Sequence, residues 1–140
     1  MVAMIDRLRA EPGDATTRAA LADAVAERVR TVAGQLAGRI DDWDVVNEPF
    51  SNHDILDVLN PPGTPIGSGV MAEWFRLAHE ADPDARLYLN DYGMLTATSL
   101  EDAHLRSHYD TAKRLLEAGA PLHGLGRSEE HTSELQSLTN

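Results

Sequence analysis

Three stripes of helical period alternate with three short apolar runs, and this alternation constrains the fold more than any other feature of the chain. Over residues 16–38, Leu21, Val25, Val29, Val32 and Leu36 recur at steps of three and four, which gives a helix one apolar face. Asp14 or Thr16 is placed to cap its start and Gly38 to stop it. Residues 40–46 read as a strand, closed off by Pro49. A long polar connection follows, with a helical turn over 54–59, and its length suits a functional loop better than a tight turn. A second helix over 70–80 carries Val70, Met71, Trp74, Phe75 and Ala78 on one face, and a second strand covers 86–90. A third helix over 99–118 has Ser99 and Asp102 in the arrangement of a capping box, with Asp in place of Glu. Its expected buried stripe is Leu105, Tyr109, Ala112 and Leu116, and Gly119 suits the position just past its end. A third strand begins over 121–126. Alternation at this spacing predicts the α/β class, built of βα units on a parallel sheet.

At 140 residues the chain is long enough for one domain with a core of its own. Its net charge of -11 is spread along the sequence, which disfavours nucleic acid and anionic membranes as partners. Without cysteine there is neither a disulfide framework nor a thiolate metal site. No apolar run is long enough to span a membrane, and the first residues lack the order of a signal peptide. Nothing in the composition calls for a cofactor, a metal or an obligate protein partner.

From Arg127 the pattern stops. "RSEEHTSELQS", residues 127–137, has no apolar period of either kind and cuts into the third strand. It resembles the in-frame translation of a sequencing-library adapter, with the last three residues read from the index behind it. The expectation is a natural segment over 1–126 and a non-native, disordered tail over 127–140. His131 therefore carries no functional weight.

The chemistry centres on "WDVVNEPF". A lone glutamate at a strand end is ordinarily a solvated residue. Glu48, however, lies at the C-terminal end of a predicted parallel strand, the edge where α/β folds build ligand sites. Pro49 biases it away from helical geometry and toward an extended backbone at the rim. Asn47 beside it offers an amide that can both donate to and accept from a sugar hydroxyl.

Other candidates weigh less. Asp41, Asp42 and Asp44 alternate between strand faces and read as a solvated strand start with one buried partner, not a metal site. His53, in the loop after Glu48, is within reach of a substrate, although an exposed loop histidine is the more ordinary reading. His104 and His108 stand four apart, a zinc-binding spacing, but lack the glutamate of the HExxH motif and read as surface helix residues. Trp74 and Phe75 read as core, and Trp43 as wall packing beneath the site.

Taken together, "WDVVNEPF", "ADPDARLYLNDYG" and "GAPLHGLG", in this order and spacing, resemble glycoside hydrolase family 10, the endo-β-1,4-xylanases. "NEP" alone is shared by other glycosidases, but the three blocks with their helices cover residues 16–126. The resemblance implies a partial (β/α)8 TIM barrel, about strands four to six, from an enzyme that hydrolyses xylan with retention of configuration. Residues 1–126 are then a fragment of the catalytic barrel.

By the same resemblance Glu48 is the general acid/base and Asn47 holds the sugar's 2-hydroxyl. Asn90 and Tyr92 match the "NDY" block at the next strand's rim, on the leaving-group side. Retaining cleavage needs a second carboxyl about 5–5.5 Å from the first. The family carries that nucleophile on its seventh strand, so the resemblance leaves none in this chain. After Gly126 stand Arg127, Ser128, Glu129 and Glu130, where the family has a Gln and a His.

The expected ligand is xylan or a xylo-oligosaccharide, and the expected parent a secreted or periplasmic endo-1,4-β-xylanase. Two alternatives remain. The parent is another retaining β-glycanase, a cellulase or mannanase, or the chain is an inactive truncated product with open strand edges that favour aggregation.

Overall fold

The computed structural model describes residues 1–94, 97, 99 and 101–128. Eight elements follow in order: α1 (Val2–Ala10), α2 (Ala15–Gln35), β1 (Asp42–Asn47), α3 (Asp54–Leu59), α4 (Val70–Ala81), β2 (Arg86–Tyr92), α5 (Ala103–Glu117) and β3 (Gly124–Ser128). The strands form one sheet in the order β1-β2-β3, and both pairings are parallel. Asn47 is level with Asn90, and Asn90 with Gly126, so these three mark one row at the C-terminal edge.

Capping fixes where the long helices begin. Asp14 is the cap of α2: its carboxylate accepts from the Thr17 N–H at 2.9 Å and from the Thr17 hydroxyl at 2.7 Å. These two bonds, led by the backbone one and joined by Arg7, lower its pKa to about 2. Asp102 caps α5 by accepting from the N–H groups of His104 and Leu105, so that helix starts at Ala103, later than the sequence suggests. Ser99 instead accepts from Glu101 N–H in a local turn.

The main core lies between the sheet and its helices, with Leu56, Met71, Phe75, Leu87, Leu89 and Leu115 buried together. Phe75 is core as expected, and Trp43 and Trp74 pack partly buried against the same cluster. A second cluster joins α1 to α2 and α3 through Ile5, Leu8, Leu21, Val25, Val58 and Leu59. The sequence reading missed α1 because only two of its residues are buried, too few to show a period.

Three expectations need correction. The buried face of α5 is His108, Thr111, Ala112 and Leu115, whereas Tyr109 is 66% and Leu116 58% exposed. Of its polar members, His108 faces the buried Asp91, and Gly67 lies so close to the Thr111 backbone that an added Cβ would stand 2.6 Å from its carbonyl oxygen. Arg127 and Ser128 belong to β3, level with Asp91 and Tyr92, so the ordered strand passes the expected boundary at Gly126. The expected tail beyond them, with His131, lies outside the described residues. Finally, none of Asp41, Asp42 and Asp44 is buried. β1 is an edge strand, and Asp42 pairs in the open with Arg86 at 2.7 Å.

Candidate active site

The C-terminal edge of the sheet gathers Asn47, Glu48, Asn90, Asp91, Tyr92 and Ser128. Glu48 follows directly on β1, and its N–H donates to the carbonyl oxygen of Asn90 at 2.8 Å. Its own carbonyl oxygen then accepts from the N–H groups of Ser51 and Asn52, at 3.1 and 2.9 Å. The chain thus leaves the ladder and turns back within one residue.

That residue has φ 52°, the sole positive φ outside glycine among the described residues. The extended backbone expected from Pro49 is therefore overturned. The tertiary bond to Asn90 and the tight turn outweigh the local preference that proline imposes. A non-glycine residue in this region costs about 1–3 kcal/mol and persists only where its surroundings hold it, a pattern concentrated at functional sites. Pro49 is fully buried behind the turn, and the Asn52 amide donates to the Glu48 carboxylate at 3.3 Å.

Asn47 and Asn90 meet side by side. The Asn90 amide nitrogen donates to the Asn47 side-chain oxygen and to the Ser128 hydroxyl, both at 2.6 Å. Asn90 is buried beneath the exposed Asn47, so it orients that side chain from behind. With the Asn47 oxygen occupied, its NH2 group remains as the outward donor, the polarity suited to a hydroxyl oxygen. Gly126 makes room for this pair, since a Cβ there would stand 2.7 Å from the Asn90 side-chain oxygen.

Tyr92 is half-buried, and its hydroxyl shares a 2.8 Å bond with Ser51. His53 precedes α3, with its Nδ1 2.8 Å from the Asp57 carboxylate in that same helix.

The histidines of α5 are not surface residues. His104 Nε2 lies 2.8 Å from Asp91 Oδ1, and Asp91 is 1% exposed. His108 is 5% exposed, with Nδ1 4.0 Å from Asp91 Oδ2, too long for a hydrogen bond. Burial holds the His108 pKa below its ordinary value, reinforced by His104 and opposed by Asp91. Among the described residues, no His, Asp and Glu form a group arranged to hold a metal ion. The sequence reading missed Asp91, and the available signal was the pairing of an interior acid in "NDY" with two histidines four apart.

Comparison with known proteins finds one family model, described as glycosyl hydrolase family 10, matching residues 9–137. A β-1,4-xylanase of Dictyoglomus thermophilum is 37% identical over 101 residues, which cover 71% of this chain and 27% of that protein. Endo-1,4-beta-xylanase B of Paenibacillus barcinonensis is 31% identical over 115 residues, covering 81% of this chain and 33% of the relative. Among solved structures, native xylanase 10B from Thermotoga maritima superposes with a TM-score of 0.64 at 30% identity, over 79% of this chain and 32% of that one. Xylanase 10B from Thermotoga petrophila, solved with xylobiose, gives 0.59 at 31% identity, over 73% and 30%. The chain therefore spans about a third or less of the relatives it matches, and its three-stranded sheet with flanking helices corresponds to part of their TIM barrel.

Proposed function

Because this chain belongs to glycosyl hydrolase family 10, we propose that the whole protein is an endo-1,4-β-xylanase with Glu48 as its general acid/base. The observation that carries this reading is the setting of Glu48: beyond the C-terminal end of a parallel strand, in a strained turn, beside an amide donor with a fixed orientation. The matched relatives are named as xylanases, and one was solved with xylobiose, which favours xylan or a xylo-oligosaccharide as substrate.

In this mechanism Glu48 gives its proton to the glycosidic oxygen as the bond to the anomeric carbon breaks. A second carboxylate, about 5–5.5 Å away, attacks that carbon. Glu48 then takes a proton from water, which hydrolyses the glycosyl-enzyme with net retention. The Asn47 NH2 donates to the 2-hydroxyl, a contact that accelerates the reaction to the extent that it strengthens in the transition state.

The family carries the attacking carboxylate on a later strand. The 140 residues alone are therefore expected to be inactive, because no glycosyl-enzyme can form without that group. Purified chain that cleaves xylo-oligosaccharides would overturn this point. We further propose that residues 127–140 are adapter-derived and that the parent is exported. Codons that differ from the adapter would remove the first claim, and a parent gene without an export signal the second.

The main reading is tested in the whole enzyme. Glu48→Gln keeps the shape of the side chain and removes its proton transfer, so xylan hydrolysis should be lost. Undiminished activity would refute the assignment. Parallel assays on xylan, cellulose and mannan separate the xylanase from the other β-glycanases of the same barrel class.

A further inference from the structure

Three successive residues of β2 hold the turn that presents Glu48. Asn90 takes the Glu48 N–H at its carbonyl oxygen, and Tyr92 binds the Ser51 hydroxyl through its own. Asp91 acts through His104. Its Oδ1 accepts from the Tyr92 N–H at 2.9 Å and lies 2.8 Å from His104 Nε2. At 2.8 Å the two atoms are within hydrogen-bond distance, so this bond fixes the ring.

The His104 ring, fixed in this way, touches both sides of the turn. Phe50 stacks on it with centroids 4.3 Å apart and planes 19° apart, and the Tyr92 ring meets it edge-on at 4.6 Å. Phe50 is 38% exposed and lies two residues after Glu48. His108 and Asp91 close off the inner side.

We propose that His104 is a positioning residue for the proton donor: anchored on buried Asp91, its ring locks Phe50 and Tyr92 and thereby holds the strained turn at Glu48. The inference rests on the reading of Glu48 as general acid/base. The strained φ of Glu48 gives it a physical reason, since an unfavourable backbone relaxes unless neighbouring contacts over-determine it. Misplacement of a reacting group by about 1 Å can cost about 100-fold in rate.

The test compares two substrates in the whole enzyme: xylan, whose leaving sugar must be protonated, and 2,4-dinitrophenyl xylobioside, whose leaving group departs without a proton. His104→Ala should lower kcat on xylan by about 10- to 100-fold with KM changed by less than about threefold. It should leave kcat/KM on the aryl xylobioside within about twofold. Phe50→Ala, at a surface residue that leaves the buried Asp91–His104 pair intact, should show the same split at about 3- to 10-fold and decides the matter if His104→Ala fails to fold.

Equal losses on both substrates would mean general damage to the site and overturn the proposal. So would a rise in KM alone, which would make Phe50 a substrate contact, or a kcat on xylan within about twofold of the parent. Glu48→Gln separates the two levels. If it leaves activity intact, the functional reading fails. If it abolishes activity while the two ring variants do nothing, only the positioning role fails.

Discussion

The backbone N–H of Glu48 donates to the carbonyl oxygen of Asn90 at 2.8 Å, so the last rung of the β1–β2 ladder is also the first bond of the turn at the proposed proton donor. The chain must pass from extended to left-handed backbone at this one residue. A carboxylate pinned there cannot drift with the loop that follows, and the fold accepts strain in exchange.

That strain predicts a split between stability and activity. Glu48→Gly relieves about 1–2 kcal/mol of left-handed strain against an entropic cost of about 0.5–1 kcal/mol. The whole enzyme should gain on the order of 0.5 kcal/mol, read as a higher urea midpoint at unchanged slope, while losing its activity. Glu48→Gln should lose activity without that gain. A lower midpoint for the glycine variant would show that the turn stores no strain.

Gly126 predicts an effect on Asn47 without touching it. A Cβ at 126 would stand 2.7 Å from the Asn90 side-chain oxygen, and 3.2 Å from its Cβ and Cγ. Gly126→Ala should push the Asn90 amide out of reach of Asn47 and Ser128. The proposed 2-hydroxyl donor would then lose its orientation, and kcat/KM on xylan should fall by about 10-fold, about the factor for one hydrogen bond of ordinary strength. Asn47→Ala and the double variant should lose no more together than Asn47→Ala alone. Additive losses would mean that Gly126 acts elsewhere.

The residues involved show what the sequence could reveal. Glu48 and Asn47 were legible as rim residues because alternating periods imply a parallel sheet, and such a sheet has one functional edge. The backbone state of Glu48 was not, because Pro49 speaks only for local preference and the Asn90 bond is tertiary. His104 and His108 looked like surface residues because a helix period counts apolar side chains, and their partner is the buried Asp91 on another element. The same blindness shifted the expected stripe of α5 toward Tyr109 and Leu116.

His108 predicts the response to acid. Its folded pKa lies below the ordinary 6.5, with burial as the first cause. A depressed histidine is neutral in both states at high pH. As pH falls below about 6.5 the unfolded chain takes up the proton first, so stability drops with falling pH until the folded pKa is reached. The urea midpoint of the whole enzyme should therefore decline between pH 7.5 and 5.5, and His108→Leu should flatten that decline. An equal decline in the leucine variant would assign it to other groups.

Two adjacent leucines on α5 decide the phase of that helix. Leu115 is fully buried in the main core, against the sheet, while Leu116 is 58% exposed, beside Tyr109, Leu122 and Leu125 along an open groove. One residue is a rotation of about 100° around the helix, so the two side chains occupy different solvents despite equal hydrophobicity. Leu115→Ala removes buried methyl groups and leaves a cavity, at a cost of about 3 kcal/mol. Leu116→Ser removes nothing packed and should change stability by less than about 0.5 kcal/mol. Measured on the isolated 140-residue chain, where this groove is open, the serine variant should also reduce self-association in sedimentation velocity. The reverse ranking, with Leu116 the costlier loss, would restore the stripe of Leu105, Tyr109, Ala112 and Leu116. It would also turn His108 away from Asp91.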